Sequence, residues 1–317
     1  MPLQVRTYTS FSVMDNSSKV KYSVGILGFG ALGQYLYDAI ISDPTVAGRL
    51  EVKYVWNRSV AALERVPKDL RLNSLEDVIN AGADIVVEVC HPDVTRDLAA
   101  KVIRETGANF MVGSPTAFAD KNVEDSLRAA AEAGNGRGNG GLYVPVGALW
   151  GAADLQALAN RNGLLSVTIT MKKHPAMLQL VRVPGSNLED VRQQLVASDD
   201  AGEMPLTETL LYEGPVRNLC AQAPNNVNTM ACCAMACHTL GFDGTVGRLV
   251  ADARLTTHEI EIEALGKPNP ATGQQFRMHL SRSSPAPKGA VTSKATYGSF
   301  LESLLKARGR GLGVHFV

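Results

Sequence analysis

Apolar and polar positions along the chain fall into two regimes. From Val24 to about Val146, short continuous apolar runs alternate with stretches whose apolar residues recur every three or four positions. Continuous runs suit strands buried on both faces and the second spacing suits amphipathic helices, so this segment predicts a parallel sheet of βαβ units. "YSVGILG" is the first expected strand. Ala31 to Ile41 is the first helix, with Leu32, Leu36, Ala39 and Ile40 on one face and Pro44 closing it. "LEVKYVW", "DIVVEVC" and "NFMVGSP" are the next strands. Ser74-Leu75-Glu76-Asp77 has the spacing of a capping box and predicts a short helix that stops near Gly82. Pro92, after His91, suits the first position of a helix faced by Val94, Leu98 and Val102; Asp120 is an expected cap and Gly134 an expected stop.

The pattern changes after "LYVPVGALWGAADLQALANRNG". "LLSVTITMKK", "ETLLYEG", "GTVGRLVAD", "HEIEIEAL" and "QQFRMHLSR" read as strands of a half-buried, mostly antiparallel sheet. Helices from Asn187 to about Ala197 and from Thr229 to Leu240 would cover one face, and a last helix runs from Thr292 to about Ala307. The expected fold class is therefore α/β: a doubly wound parallel sheet of the Rossmann type plus a second α+β domain. The expected boundaries are a flexible tail over 1–22, a dinucleotide-binding domain over 23–146 and a substrate and dimerisation domain over 147–289. A C-terminal helix within 290–317 would rejoin the first domain. "GNGRGNGG" (134–141) follows no strand and reads as a surface loop.

The 317 residues are 45% hydrophobic and 20% charged, with formal net charge zero, so no charge excess points to nucleic acid or an acidic membrane as partner. Five cysteines without paired spacing argue against a disulfide framework. No apolar stretch suits a signal peptide or a membrane span, and a cytoplasmic location is expected.

The first strand runs into Gly28-Phe29-Gly30-Ala31-Leu32-Gly33, a G-x-G-x-x-G between strand and helix. In that context Gly28 permits the tight turn, Gly30 the approach of a pyrophosphate and Gly33 close packing of helix on strand. The helix opening at Ala31 and Leu32 offers free N–H groups to phosphate charge. Where an NAD site would place a carboxylate at the end of strand two, this chain has Asn57, Arg58 and Ser59, which favours NADP over NAD. Cys90 and His91 follow a parallel strand at its carboxyl end, where backbone contact with a cofactor is expected.

In "HEIEIEAL", His258, Ile260, Ile262 and Ala264 share one face and the three glutamates the other. His258 thus begins the apolar face, as a core residue or at the rim of a cleft. "TMKKHP" places Lys172 and His174 on one side of a strand end and Lys173 on the other. Lys173 and His174, with a helix beginning near Asn228, are candidate donors for an anionic substrate. Cys233 and Cys237 precede His238, but adjacent residues diverge by about 100° around a helix, so a packed helix is expected there and no metal site.

"VVEVCHPDV", "GSPTAFAD", "VPVGALWGAADL", "LYEGPVRN", "APNNVNTMA" and "LVADARLTTHEIEIEALG" occur in this order. With the glycine loop they resemble the L-aspartate dehydrogenase family, especially its animal "aspartate dehydrogenase domain-containing" members, from about Ser23 to Lys306. The resemblance implies a homodimer and a last helix packed back on the first domain. It also implies NAD(P)-dependent oxidation of L-aspartate to iminoaspartate, which hydrolyses to oxaloacetate and ammonia. It places the family's catalytic histidine on His258, its cofactor-contacting alanine on Ala148 and its contacting asparagine on Asn226 or Asn228. This chain differs from the microbial pattern in a shorter turn before His258, in Trp150 where a glycine is usual, and in "SPAPKGAVTS" near the end. Two other readings remain: reduction of another small imine or keto acid with NADPH, and nucleotide binding without turnover.

Overall fold

The computed structural model describes residues 20–136, 139–203, 208–286 and 294–317. Most of the expected N-terminal tail and the first residues of the expected last helix, Thr292 and Ser293, lie outside them. Five strands belong to the alternating half of the chain: β1 (Tyr22–Leu27), β2 (Leu50–Trp56), β3 (Ile85–Glu88), β4 (Asn109–Val112) and β5 (Leu142–Val144). Five more follow: β6 (Leu164–Lys173), β7 (Thr209–Pro215), β8 (Thr245–Ala251), β9 (Thr257–Gly266) and β10 (Arg277–Pro285). The chain closes with β11 (Val314–Phe316).

The first sheet has the order β11-β5-β4-β3-β1-β2, and every pair in it is parallel. The second has the order β10-β9-β6-β8-β7; β6 and β8 are parallel and the other pairs antiparallel. Strand order in the first sheet reverses between β1 and β3. The crevice beyond their carboxyl ends is the general ligand position of such sheets.

The longer helices are α1 (Ala31–Ser42), α2 (Pro92–Lys101), α3 (Lys121–Ala133), α4 (Ala152–Asn160), α5 (Leu188–Asp200), α6 (Val216–Gln222), α7 (Asn228–Ala236) and α8 (Lys294–Lys306). The local signals explain several ends. His91 Nδ1 accepts from the Asp93 N–H and Pro92 occupies the first position of α2. The Asp120 carboxylate accepts from the N–H groups of Asn122 and Val123, and Gly134, at φ +56°, stops α3. The capping box at Ser74 behaves differently. The Asp77 carboxylate accepts from the Ser74 N–H at 3.1 Å, which closes a turn, and helix begins only at Val78.

Four of these elements are not foreshadowed by the periodicity: β5, β11, α4 and α6. β11 lies along β5, and the Val317 carbonyl accepts from the Val146 N–H (2.9 Å) and the Ser303 hydroxyl (2.6 Å). Phe300, Leu301 and Leu304 of α8 are buried in one cluster with Leu36, Tyr37 and Ile40 of α1 and with Val24 and Ile26 of β1. Each such side chain contributes about 1.5–3 kcal/mol of burial. Among the described residues no helix is long and apolar enough to cross a membrane.

Candidate active site

The first sheet's wall of the site is mostly backbone. Gly28 follows β1 with φ +105°, and a Cβ there would lie 2.6 Å from the Cys90 Cβ. A Cβ on Gly33 would lie 2.1 Å from the Gly28 carbonyl oxygen, so α1 sits on the loop as closely as it does only because position 33 has no side chain. Gly30 is the opposite case: its Cβ would meet nothing within 4 Å. Two glycines are thus required by protein packing, while the third borders open space at the amino end of α1. There the first-turn N–H groups of Ala31, Leu32 and Gly33 have no intrahelical acceptor. This is the shape and polarity a pyrophosphate needs, so the residues present fit a dinucleotide. Asn57 ties the loop to the end of β2: its Oδ1 accepts from the Phe29 N–H (3.0 Å) and its Nδ2 donates to the Ser59 carbonyl (2.9 Å). Arg58 is exposed beside them, with no hydrogen bond or ion pair among the described residues.

Beneath this wall lies a buried carboxylate. Glu88, fully buried, accepts from the Cys90 N–H (2.7 Å), the Thr95 hydroxyl (2.9 Å) and both the N–H and the hydroxyl of Ser114 (2.9 Å each). Burial pushes its pKa up while these donors oppose the shift. The group locks the chain after β3 to the chain after β4, and both segments line the cleft. Desolvation first, then the Glu88 carboxylate, push the Cys90 thiol well above its ordinary range, so Cys90 is no thiolate at neutral pH. His91, whose Nδ1 lies 3.0 Å from an Asp93 carboxylate oxygen, faces a separate cavity of about 700 Å3 that Arg96 and Arg217 also line.

The opposite wall is the inner face of the second sheet. Strand parity puts Met171 and Lys173 of β6, His258 and Ile260 of β9, and Arg282 and Ser284 of β10 on that face. The register aligns them in rows. Ile260 pairs with Met171 on one side and Arg282 on the other, and His258 pairs with Ser284, with Lys173 one residue beyond the Lys172–Glu259 pair. All six line a cleft of about 260 Å3 that the first wall closes with Leu32, Val89, Cys90, Gly113 and Ser114. Asn228, Thr229 and Cys232 of α7 and Thr296 and Phe300 of α8 complete it. Among the described residues no aspartate or glutamate lines this cleft.

Each cation is held from behind. Lys173 is 3% exposed, and its Nζ donates to the Asn226 carbonyl at 3.4 Å. Burial lowers its pKa to about 8. Asn226 in turn donates to the Met177 carbonyl (3.1 Å) and accepts from the Gln179 N–H (2.6 Å), so its side chain supports the cleft while its carbonyl positions Lys173. Arg282 Nη1 donates to the Ala148 carbonyl at 3.1 Å, and its guanidinium carbon lies 4.6 Å from the centre of the Trp150 ring. Trp150 is 54% exposed and stands outside the lining. Asn228, at the start of α7, has its Oδ1 3.3 Å from the Thr116 hydroxyl.

The structure therefore brings Leu32, Cys90, Ala148, Lys173, Asn226, Asn228 and His258 into one cleft. Gly28, Gly30, Ala31, Gly33, Asn57, Arg58 and Ser59 form the glycine loop and its neighbour at the end of β2. His174 is not brought in: its Nδ1 accepts from the Ala176 N–H, and its Nε2 lies 3.2 Å from the Asp199 carboxylate. Glu88, Ser114, Thr229, Arg282 and Ser284 escaped the sequence reading. Two of them had a legible signal. Glu88 interrupts a continuous apolar strand, and Arg282 falls in the phase of Met278 and Leu280, where an apolar side chain was due.

Residues 28–138 match the family model described as "Homoserine dehydrogenase, NAD binding domain", and residues 154–306 match "Aspartate dehydrogenase, C-terminal". Over 297 residues the chain is 42% identical to an "Aspartate dehydrogenase domain-containing protein" of Xenopus tropicalis, covering 93% of this chain and 98% of that one. It is 29% identical over 250 residues to an "L-aspartate dehydrogenase" of Methanosarcina mazei, covering 76% and 83%. The crystal structure of aspartate dehydrogenase from Thermotoga maritima aligns with a TM-score of 0.62 at 15% identity, covering 92% of this chain and 98% of that one. At that identity the likeness is one of fold.

Proposed function

The chain belongs to the aspartate dehydrogenase family, and from that premise we propose that it oxidises L-aspartate to iminoaspartate, released as oxaloacetate and ammonia, with NADP favoured over NAD. The observation that supports this most is the pairing of the two walls: a dinucleotide cradle on one side, and His258 between two cations on the other. A nicotinamide bound there would accept the Cα hydride at its C4. The chain's own residues orient the substrate and move protons. Lys173 and the amino end of α7 draw the carboxylates toward the second sheet. The His258 imidazole takes a proton from the substrate nitrogen as the C=N bond forms and gives it up to solvent; it then takes one from the water that adds to the imine carbon and returns it to the nitrogen that leaves as ammonia. Phe300 and Met171 exclude bulk water from the same space. Arg58, free at the end of β2, supports a cofactor with a 2′-phosphate.

The test follows absorbance at 340 nm. Oxaloacetate plus ammonia should oxidise NADPH faster than NADH, with L-aspartate as the product. A protein that binds NADPH but turns over in neither direction would remove aspartate from the reading and leave the cradle.

A further inference from the structure

Arg282 departs from every other position in its phase of β10. Met278 and Leu280 precede it on the inward face and are partly buried against the core, and Ser284 follows at the cleft. Yet Arg282 as a whole is only 5% exposed. One nitrogen, Nη1, donates to the Ala148 carbonyl; the other, Nη2, is buried and has no hydrogen-bond partner among the described residues. An unsatisfied donor on a buried charged group is among the more costly features a fold can hold. No carboxylate in the cleft lining compensates it.

The surroundings show which part of the group is left available. The Arg282 Cζ lies over the Trp150 ring, 4.6 Å from its centre. A cation–π contact occupies the face and leaves the in-plane edge for a fork of hydrogen bonds. Carboxylates take that edge in bidentate fashion. The sheet register then places a second cation at a useful distance. Lys173 on β6 and Arg282 on β10 flank β9, the strand that carries His258. Neighbouring strands lie about 4.8 Å apart, so the two side chains rise from strands about 10 Å apart and can converge on one small molecule over β9.

We propose that Arg282 is the receptor for the second carboxylate of the substrate, held edge-on by Trp150 and the Ala148 carbonyl, and that it makes this cleft selective for a short dicarboxylate. This rests on the reaction proposed above but deepens it: Lys173 and Arg282 divide the two carboxylates, and His258 stands at the nitrogen between them.

The experiment is calorimetric titration of the full chain, with NADP+ present, using succinate and butyrate as probes. Succinate should bind the wild type at least about tenfold more tightly than butyrate. Arg282→Met should weaken succinate by about 10- to 100-fold, to the level of butyrate, while NADP+ affinity stays unchanged. Arg282→Lys, which keeps the charge but loses the fork, should fall between. Trp150→Ala, at an exposed position, should weaken succinate a few-fold. Unchanged succinate affinity in Arg282→Met would overturn the proposal, as would a loss confined to NADP+. If Arg282→Met does not fold, Arg282→Lys and Trp150→Ala decide by the same comparison. The two readings fail separately. Succinate binding through Arg282 without aspartate turnover sinks the reaction, and aspartate turnover with an unchanged KM in Arg282→Lys sinks the receptor.

Discussion

The two walls of the cleft recognise by different means. On the first sheet the contact surface is glycine loop, helix terminus and the chain ends after β3 and β4, where a Cβ at Gly33 or Gly113 would lie 2.1 Å from a carbonyl oxygen. On the second it is side chains at alternate strand positions: Lys173, His258, Arg282 and Ser284. Where that backbone is packed tightly, at Gly28, Gly33 and Gly113, there is no room for a side chain. A surface of alternating side chains changes its chemistry with a single residue and leaves the strand intact. On the proposed reading, cofactor binding belongs to the rigid wall and substrate choice to the adjustable one.

His258→Ala gives the largest effect expected from this division. Turnover should fall by about 10²- to 10⁴-fold while NADPH affinity, read by fluorescence titration, is retained. An equal loss of both would show that the walls do not act separately. Lys173→Met sharpens the contrast next, since it should improve stability while impairing binding. Burial lowers the pKa of Lys173 to about 8 from an ordinary value of 10.5. Between those values the unfolded chain holds more protons, so wild-type stability rises with pH there, and below about pH 8 the penalty is fully present. Thermal unfolding at pH 7 should show the mutant more stable by up to about 3 kcal/mol, with the gap closing toward pH 10. Succinate affinity runs the other way: it weakens in the wild type as pH rises through about 8, and that step is absent from the mutant.

On the first wall, Gly33→Ala should lower stability by about 1–3 kcal/mol through overpacking against the Gly28 carbonyl, and weaken NADP+ without altering succinate binding. Urea unfolding and calorimetry check both halves. The smallest effect is at Arg58, which makes no hydrogen bond or ion pair among the described residues. Arg58→Ala should reduce the preference for NADPH over NADH by about tenfold or less, consistent with one exposed phosphate contact, and leave the melting temperature where it was.

The contrast also explains what could be read before any coordinates. The glycine loop is a local device, with strand, turn and helix contiguous in sequence, so its position and the roles of Gly28 and Gly33 were visible. Strand parity placed His258 on the buried face and separated Lys173 from His174. What parity cannot supply is the partner across the sheet. Arg282 meets the row of Ile260 only through the β9–β10 register. β11 is three residues long and follows a run of glycines, too short for a period to show. At Ser74 the Asp77 carboxylate accepted from the Ser74 backbone N–H and closed a turn, and the helix started four residues later.

The pairing of β11 with β5 bears on how the molecule is made. The first sheet gains its outer strand, and α1 its covering helix, from the last segment described, with the whole second domain translated in between. A nascent chain therefore emerges with the β5 edge, including buried Leu142, Tyr143 and Val144, and the apolar face of α1 still uncovered. The nucleotide-binding half is begun first on the ribosome and finished last. Newly made protein should depend on a holdase chaperone until that final segment has docked.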